Sequence, residues 1–301
     1  MERHTMFKED SAVTETRRRM PSNSPENSEM NTSVPSESVL DKAFDTFCKV
    51  NTVNLVQFLS FAVTIGSLVY EFRPPPPAEG GSYFSDKRNF FNQYFVKLAW
   101  GWTMAIYTPF VVLSGLQSPA KIGQIFRGLV RVLAVGTAAW YWWVEIVFHR
   151  VMQVTGACVG NESLTAVRAC IKAGHYWDGY DISGHCFLLI YSALLIHEEL
   201  RIVRKRVITM NKRGRISNEL LQNNATIPAA NVTVSYDSLV SFLQKLFTVL
   251  LIMLELLWIL MVMMTSIYFH VWSHKLLGTL IAIVSWHCTY NLWYKAMVFP
   301  G

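Results

Sequence analysis

Charge is what this chain has least of. Asp, Glu, Lys and Arg make up 16% of its 301 residues, against roughly 25% in soluble domains. That shortage excludes an ordinary water-soluble globule. The net charge of +6 does not argue for nucleic acid, because the basic residues gather in short stretches beside apolar segments. No internal repeat and no paired interrupted segments are visible, which argues against a transporter. No cluster has typical metal-ligand spacing, so neither a metal nor a cofactor is expected. No apolar run follows Met1, so no cleavable signal peptide is expected, and the first apolar segment should act as an uncleaved anchor.

Apolar and aromatic surface is what the chain has instead. Hydrophobic residues reach 51%, with 10 Trp and 18 Phe. A membrane helix needs ~20 mostly apolar residues. Six candidates are expected, at about Val53–Tyr70, Tyr94–Leu113, Leu129–Phe148, Gly184–Leu200, Leu246–Tyr268 and Leu276–Val298. The predicted fold is therefore an all-α, polytopic membrane protein with six transmembrane helices in residues 51–301. Residues 1–50, rich in Ser, Glu, Asn, Thr and Pro, have too little apolar surface to fold and read as a disordered tail. Lys and Arg set the orientation. They concentrate after the fourth segment (Arg201, Arg204, Lys205, Arg206, Lys212, Arg213, Arg215), around the second-to-third connection (Lys121, Arg127, Arg131) and in the tail (Arg17–Arg19). That side is expected to be cytosolic, with both termini and a basic loop of about 201–245. Cys158 and Cys170 fall on the opposite side, where a bridge is permitted; two free thiols are the other reading. The sequon Asn161-Glu162-Ser163 lies in the same loop. Further sequons at Asn31, Asn224 and Asn231 fall on the cytosolic side and should stay bare.

The stretch Asp178–Leu189, D-G-Y-D-I-S-G-H-C-F-L-L, carries the chemistry. It sets His185 at the first turn of an apolar helix, where an ionisable group is rare and usually functional. The connection between the fifth and sixth segments, S-I-Y-F-H-V-W-S-H-K, offers His270 and His274 on the same face. Two imidazoles from separate helix ends suit phosphoryl transfer: one attacks phosphorus, the other protonates the leaving oxygen. A histidine at the interface that merely bonds headgroups or backbone is the bland alternative. Asp181 has two readings, a helix cap and a partner that orients an imidazole. Glu198 and Glu199 are expected to form surface pairs beside Arg201, and Glu255 to face the bundle interior.

S-G-H-C-F-L-L, Y-F-H and S-D-K-R-N-F-F-N-Q-Y-F-V-K (Ser85–Lys97) together resemble the fat storage-inducing transmembrane (FIT) protein family, over about residues 51–298. The resemblance implies an endoplasmic reticulum membrane protein that supports lipid droplet formation. It also implies an acyl-CoA diphosphatase related to lipid phosphate phosphatases, cleaving fatty acyl-CoA to acyl 4′-phosphopantetheine and adenosine 3′,5′-bisphosphate. The family's two active-site histidines fall on His185 and His270. By the same analogy His270 is the nucleophile and His185 the general acid. The K-x6-R-P motif of the lipid phosphatases is missing. Their S-R-x5-H motif would put Ser and Arg at 263 and 264, where both residues are Met. Lys87 and Arg88, with Asp181 and Ser183, are then the candidate substrate contacts. The expected partners are fatty acyl-CoA, neutral lipids such as triacylglycerol and diacylglycerol, and the bilayer. A protein that binds neutral lipid without chemistry is the competing function.

Overall fold

The computed structural model describes residues 39–72, 82–118, 120–222 and 234–294. The Arg17–Arg19 triplet and the sequons at Asn31, Asn224 and Asn231 lie outside the described residues. Eight helices are labelled here in chain order: α1 (Val39–Lys49), α2 (Thr52–Phe72), α3 (Ala99–Leu116), α4 (Lys121–Thr155), α5 (Val167–Lys172), α6 (Gly184–Gln222), α7 (Val234–Tyr268) and α8 (Trp272–His287). A wide π-type turn at Asn92–Val96 leads into α3, and two more interrupt α4 at Val130–Gly136 and Tyr141–Phe148. The chain is mostly helical, with one departure from the all-α expectation. Strands β1 (Ala157–Val159) and β2 (Tyr176–Asp178) pair antiparallel, Cys158 opposite Trp177.

The centre of the bundle is the first half of α6. Residues Cys186–Ile196 are all buried, Phe187, Leu189, Ile190 and Leu194 completely. A helix that is apolar on every side belongs inside a protein or in lipid. Here α7 and α8 cover it, with α3 beside them, while α2 packs on α7 and α8. Three helices among the described residues are long and apolar enough to cross a membrane: Thr52–Phe72, Lys121–Thr155 and Ser238–Tyr268. The other three expected segments are helical too, but differ in kind. The helix α3 has 18 residues, below the ~20 that span a hydrocarbon core alone, and α8, with 16, runs on through a π-type turn at Cys288–Trp293. The helix α6 has 39 residues and continues through its basic half to Gln222, so residues 201–222 of the expected loop are helix. The stretch expected to be disordered also ends in structure. Eleven residues near its end, Val39–Lys49, form α1, whose Asp45 pairs with Arg204 of α6 at 2.6 Å.

Glu199 is not the surface partner of Arg201 that the sequence led us to expect. It is 1% exposed and pairs in two-pronged fashion with Arg131 of α4, Nε–Oε1 2.7 Å and Nη2–Oε2 2.8 Å. Tyr107 of α3 and Tyr290, just past α8, each donate a hydroxyl to the same carboxylate at 2.8 Å. One side chain thus joins four helical segments. Glu198 does pair with Arg201, at 3.6 Å. Glu255 faces the interior, as expected, and meets His197 Nδ1 at 2.9 Å. The Nε2 of His197 lies 3.0 Å from the Val50 carbonyl. A carbonyl can only accept, so Nε2 carries a hydrogen and the His197–Glu255 pair shares one further proton. Packing and such interhelical bonds must hold these helices together, because lipid tails are as apolar as the side chains themselves.

Removing one member of a buried pair leaves an uncompensated charge, at a cost of about 3–5 kcal/mol. Glu199→Ala should therefore lower the unfolding temperature of the detergent-solubilised protein far more than Glu198→Ala. Equal effects of the two in a thermal melt would contradict the four-way junction.

Candidate active site

The two helix starts that carry the histidines touch through their backbones. The Ser183 N–H donates to the His274 carbonyl at 3.1 Å. Gly278, one turn on in α8, leaves no room for a side chain: a Cβ there would stand 2.5 Å from the Ser183 carbonyl oxygen. The Ser183 hydroxyl accepts the Cys186 N–H at 3.3 Å, which makes it the cap of α6. Ser183 was expected among the substrate contacts; it is fully buried, with its hydroxyl committed to the helix. The cap is therefore Ser183 and not Asp181. The Asp181 carboxylate, half exposed at 51%, lies 3.7 Å from His270 Nδ1.

His270 sits in the tight connection between α7 and α8 with φ +56°. It is the only non-glycine among the described residues with positive φ. The left-handed conformation costs an L-residue roughly 1–2 kcal/mol and is usually given to glycine at a helix C-terminus. Strained backbone of this kind clusters at functional sites. The surroundings hold it in place. Lys275 Nζ donates to the Ser266 carbonyl at 2.7 Å, and the Trp272 N–H reaches Glu71 Oε1 of α2 at 3.3 Å.

These contacts bring the expected residues into one neighbourhood. His185 lies within the electrostatic reach of His270, Lys97, Asp181 and Lys87. His270 in turn feels Asp181, His274, Lys87 and Lys275. Burial holds the His270 imidazole below its ordinary titration range; Asp181 opposes that, while His274, Lys87 and Lys275 add to it. A ring kept neutral near pH 7 has the lone pair a nucleophile needs. His274 plays a different part: its ring meets Tyr180 edge-on at 4.4 Å between centroids.

Lys87 stands on an exposed loop whose backbone is nonetheless fixed. Its carbonyl accepts from Asn92 Nδ2 at 2.7 Å and Gln93 Nε2 at 3.1 Å. Arg88 is exposed, its backbone N–H donating to Asp86 Oδ1 at 2.8 Å. On the other flank, Cys158 and Cys170 are disulfide-bonded, with Cα atoms 5.7 Å apart, which decides between the two readings of that pair. The bond ties α5 to β1, and β2 then leads directly to Tyr180 and Asp181. The Tyr180 N–H is anchored to Thr155 Oγ1 at 2.9 Å. The sequence reading passed over Lys275, which is completely buried, though a lysine at the start of an apolar helix is as costly there as His185. Among the described residues no group of His, Cys, Asp and Glu is arranged to hold a metal ion.

The family model described as fat storage-inducing transmembrane protein matches residues 80–290, a stretch containing every residue of this site. The chain belongs to that family. A Homo sapiens protein named acyl-coenzyme A diphosphatase FITM2 is 35% identical over 243 residues, covering 78% of this chain and 80% of the human one. The Sus scrofa protein of the same name is 35% identical over 250 residues, 81% of this chain and 83% of its own. That of Drosophila melanogaster is 33% identical over 258 residues, 81% of this chain and 59% of its own. No solved structure matches.

The left-handed backbone at residue 270 can be tested apart from chemistry. His270→Gly should leave the unfolding temperature in detergent unchanged or raise it. His270→Val, β-branched and a genuine outlier at positive φ, should destabilise by about 1–3 kcal/mol. Equal melting of the two variants would argue against the strain.

Proposed function

We propose that the chain is a fatty acyl-CoA diphosphatase in which His270 is the nucleophile and His185 the general acid. The observation that carries this is that His185, at the start of α6, and His270, in the connection before α8, lie within electrostatic reach of each other, with Asp181 3.7 Å from His270 Nδ1 and Lys87 in the field of both. His270 Nε2 attacks one phosphorus of the pyrophosphate; the P–O bond of the bridging oxygen breaks as the N–P bond forms. His185 gives its proton to that oxygen as it leaves. Water, deprotonated by His185, then releases the phosphoryl group from His270. Asp181 keeps the tautomer and steadies the cation that forms, as carboxylates do in other nucleophile–base–acid arrays. The products are acyl 4′-phosphopantetheine and adenosine 3′,5′-bisphosphate. Lys87, Arg88 and Lys97 supply positive charge for the phosphates. The relatives' shared name, acyl-coenzyme A diphosphatase, supports the substrate class.

The setting we infer is the endoplasmic reticulum membrane, crossed six times, with both termini cytosolic and the site at the lumenal edge. The basic half of α6 favours the cytosol at one end, and the disulfide favours an oxidising compartment at the other. The helices α3, α6 and α8 cross as members of the bundle, sheltered by α2, α4 and α7. An acyl chain gains about 0.8 kcal/mol for each CH₂ it keeps in lipid, so the chain stays in the bilayer while the nucleotide stays in water. Support of lipid droplet formation follows if cleavage sets the acyl-CoA available at that membrane.

Purified protein in detergent or nanodiscs should hydrolyse long-chain acyl-CoA. His185→Ala and His270→Ala should each lower turnover by at least ~10²-fold, the scale of acid–base catalysis, while neutral-lipid binding persists. Turnover in both variants equal to that of the intact chain would leave the lipid-binding reading in place. The orientation has its own check. Asn161 is exposed and its Oδ1 accepts the Ser163 hydroxyl at 2.6 Å. A glycan removable by amidase and absent from Asn161→Gln is expected, and glycan on Asn231 would reverse the topology.

A further inference from the structure

Directly behind the histidine pair lies an ion that the mechanism above does not use. Lys275 is 0% exposed. Its ammonium donates to the Ser266 carbonyl, four residues before His270, at 2.7 Å. It also rests 4.4 Å from the centroid of the Tyr70 ring of α2. Its own N–H closes the next turn on the Val271 carbonyl at 3.4 Å. The side chain therefore bolts the end of α7 to α2 and to the first turn of α8, on both sides of the strained residue.

Charge matters here as much as reach. A lysine ammonium out of water is expensive, and a neutral side chain of similar length would fill the same space. Glu71 acts on Lys275 from α2, and Cys186 faces it from α6. Glu71 is at the same time the acceptor for the Trp272 N–H. The arginine expected of a lipid phosphatase at position 264 is missing, and Met occupies it. Lys87 and Lys97 are both exposed, so their fields are diluted by water. Lys275 is the buried cation among those that act on His270.

We propose that Lys275 is a positioning residue for the phosphoryl-transfer site: it fixes the left-handed turn that presents His270, and it lays a positive charge behind that turn that favours an incoming pyrophosphate. The proposal rests on His270 being the nucleophile. The groups facing His270 are Asp181 and His185 from the entry to α6, His274 and Lys275 from α8, and Lys87 from the loop before α3. Four of the five are or can be cationic, and Asp181 is the anion that opposes them.

The test is the pH dependence of kcat for long-chain acyl-CoA, with the full chain in nanodiscs. Lys275→Gln keeps a donor for Ser266 and removes the charge. Losing a cation makes His270 easier to protonate, so the acid limb of the kcat profile should move to higher pH, by roughly half a unit to one unit. At a pH on that limb kcat should fall by about 3–10-fold, while KM changes less. Lys275→Arg, which keeps the charge, should leave the limb where it is. Asp181→Asn should move it the other way, to lower pH. If Lys275→Gln does not fold, Lys275→Met carries the same expectation. A limb unmoved in the charge-free variant overturns the proposal, as does an equal shift in Lys275→Arg. His270→Ala in the same assay separates the two ideas. Full turnover there defeats the nucleophile assignment itself, whereas a dead His270→Ala with an unmoved limb defeats only the role of Lys275.

Discussion

Everything at the site depends on how closely two helix starts approach. Ser183 and His274 share a backbone hydrogen bond, and Gly278 lets the Ser183 carbonyl lie against α8 with no side chain between them. That contact sets the start of α6, which carries His185, beside the first turn of α8, just past the connection that carries His270. His185 is two residues after Ser183, and His270 is four before His274. Neither imidazole needs a long or flexible tether, and both are set by main-chain geometry rather than by side-chain choice. Rigid elements hold reacting groups better than loops do. Here the rigidity is that of the bundle itself.

The middle of α6 carries a second polar cluster of different chemistry. Glu199 gathers Arg131, Tyr107 and Tyr290, and His197 gathers Glu255 and the Val50 carbonyl. Hydrophobic burial does little to hold helices together in lipid, so polar junctions carry the specificity that an apolar core carries in water. One helix thus has a structural polar cluster at mid-length and the candidate site at its start. The difference lies in satisfaction. The Glu199 carboxylate has donors on both oxygens, whereas Asp181 and His270 keep a loose 3.7 Å contact and partial exposure, open to a substrate.

Much of this was legible in the sequence, for reasons that can be named. His185 stood out because an imidazole is expensive at the start of an apolar helix, and the cysteine pair because its spacing permits a closed loop. Segment lengths pointed to six helices, and among the described residues three are long and apolar enough to span by composition. The rest escaped for physical reasons. Glu199 and Glu198 are neighbours in sequence, yet one points into the bundle and one outward, and a helix's rotation about its axis is set by tertiary packing. Asp181 and Ser183 both cap well by propensity; which one does so depends on where β2 delivers the chain. The left-handed turn at His270 carries no glycine to announce it. Lys275 was in plain view beside His274, but nothing local says that a lysine is buried.

The disulfide-tied flank has a consequence for how the protein comes into being. The segment from Cys158 to Cys170 feeds β2, and β2 leads to the Asp181 carboxylate, 3.7 Å from His270 Nδ1. The bond cannot form while the loop is still on the reducing side of a membrane. On the reading proposed above, closing the Cys158–Cys170 loop is the covalent step that completes the flank carrying Asp181, so the finishing of the site is tied to the thiol chemistry of whichever compartment receives that loop.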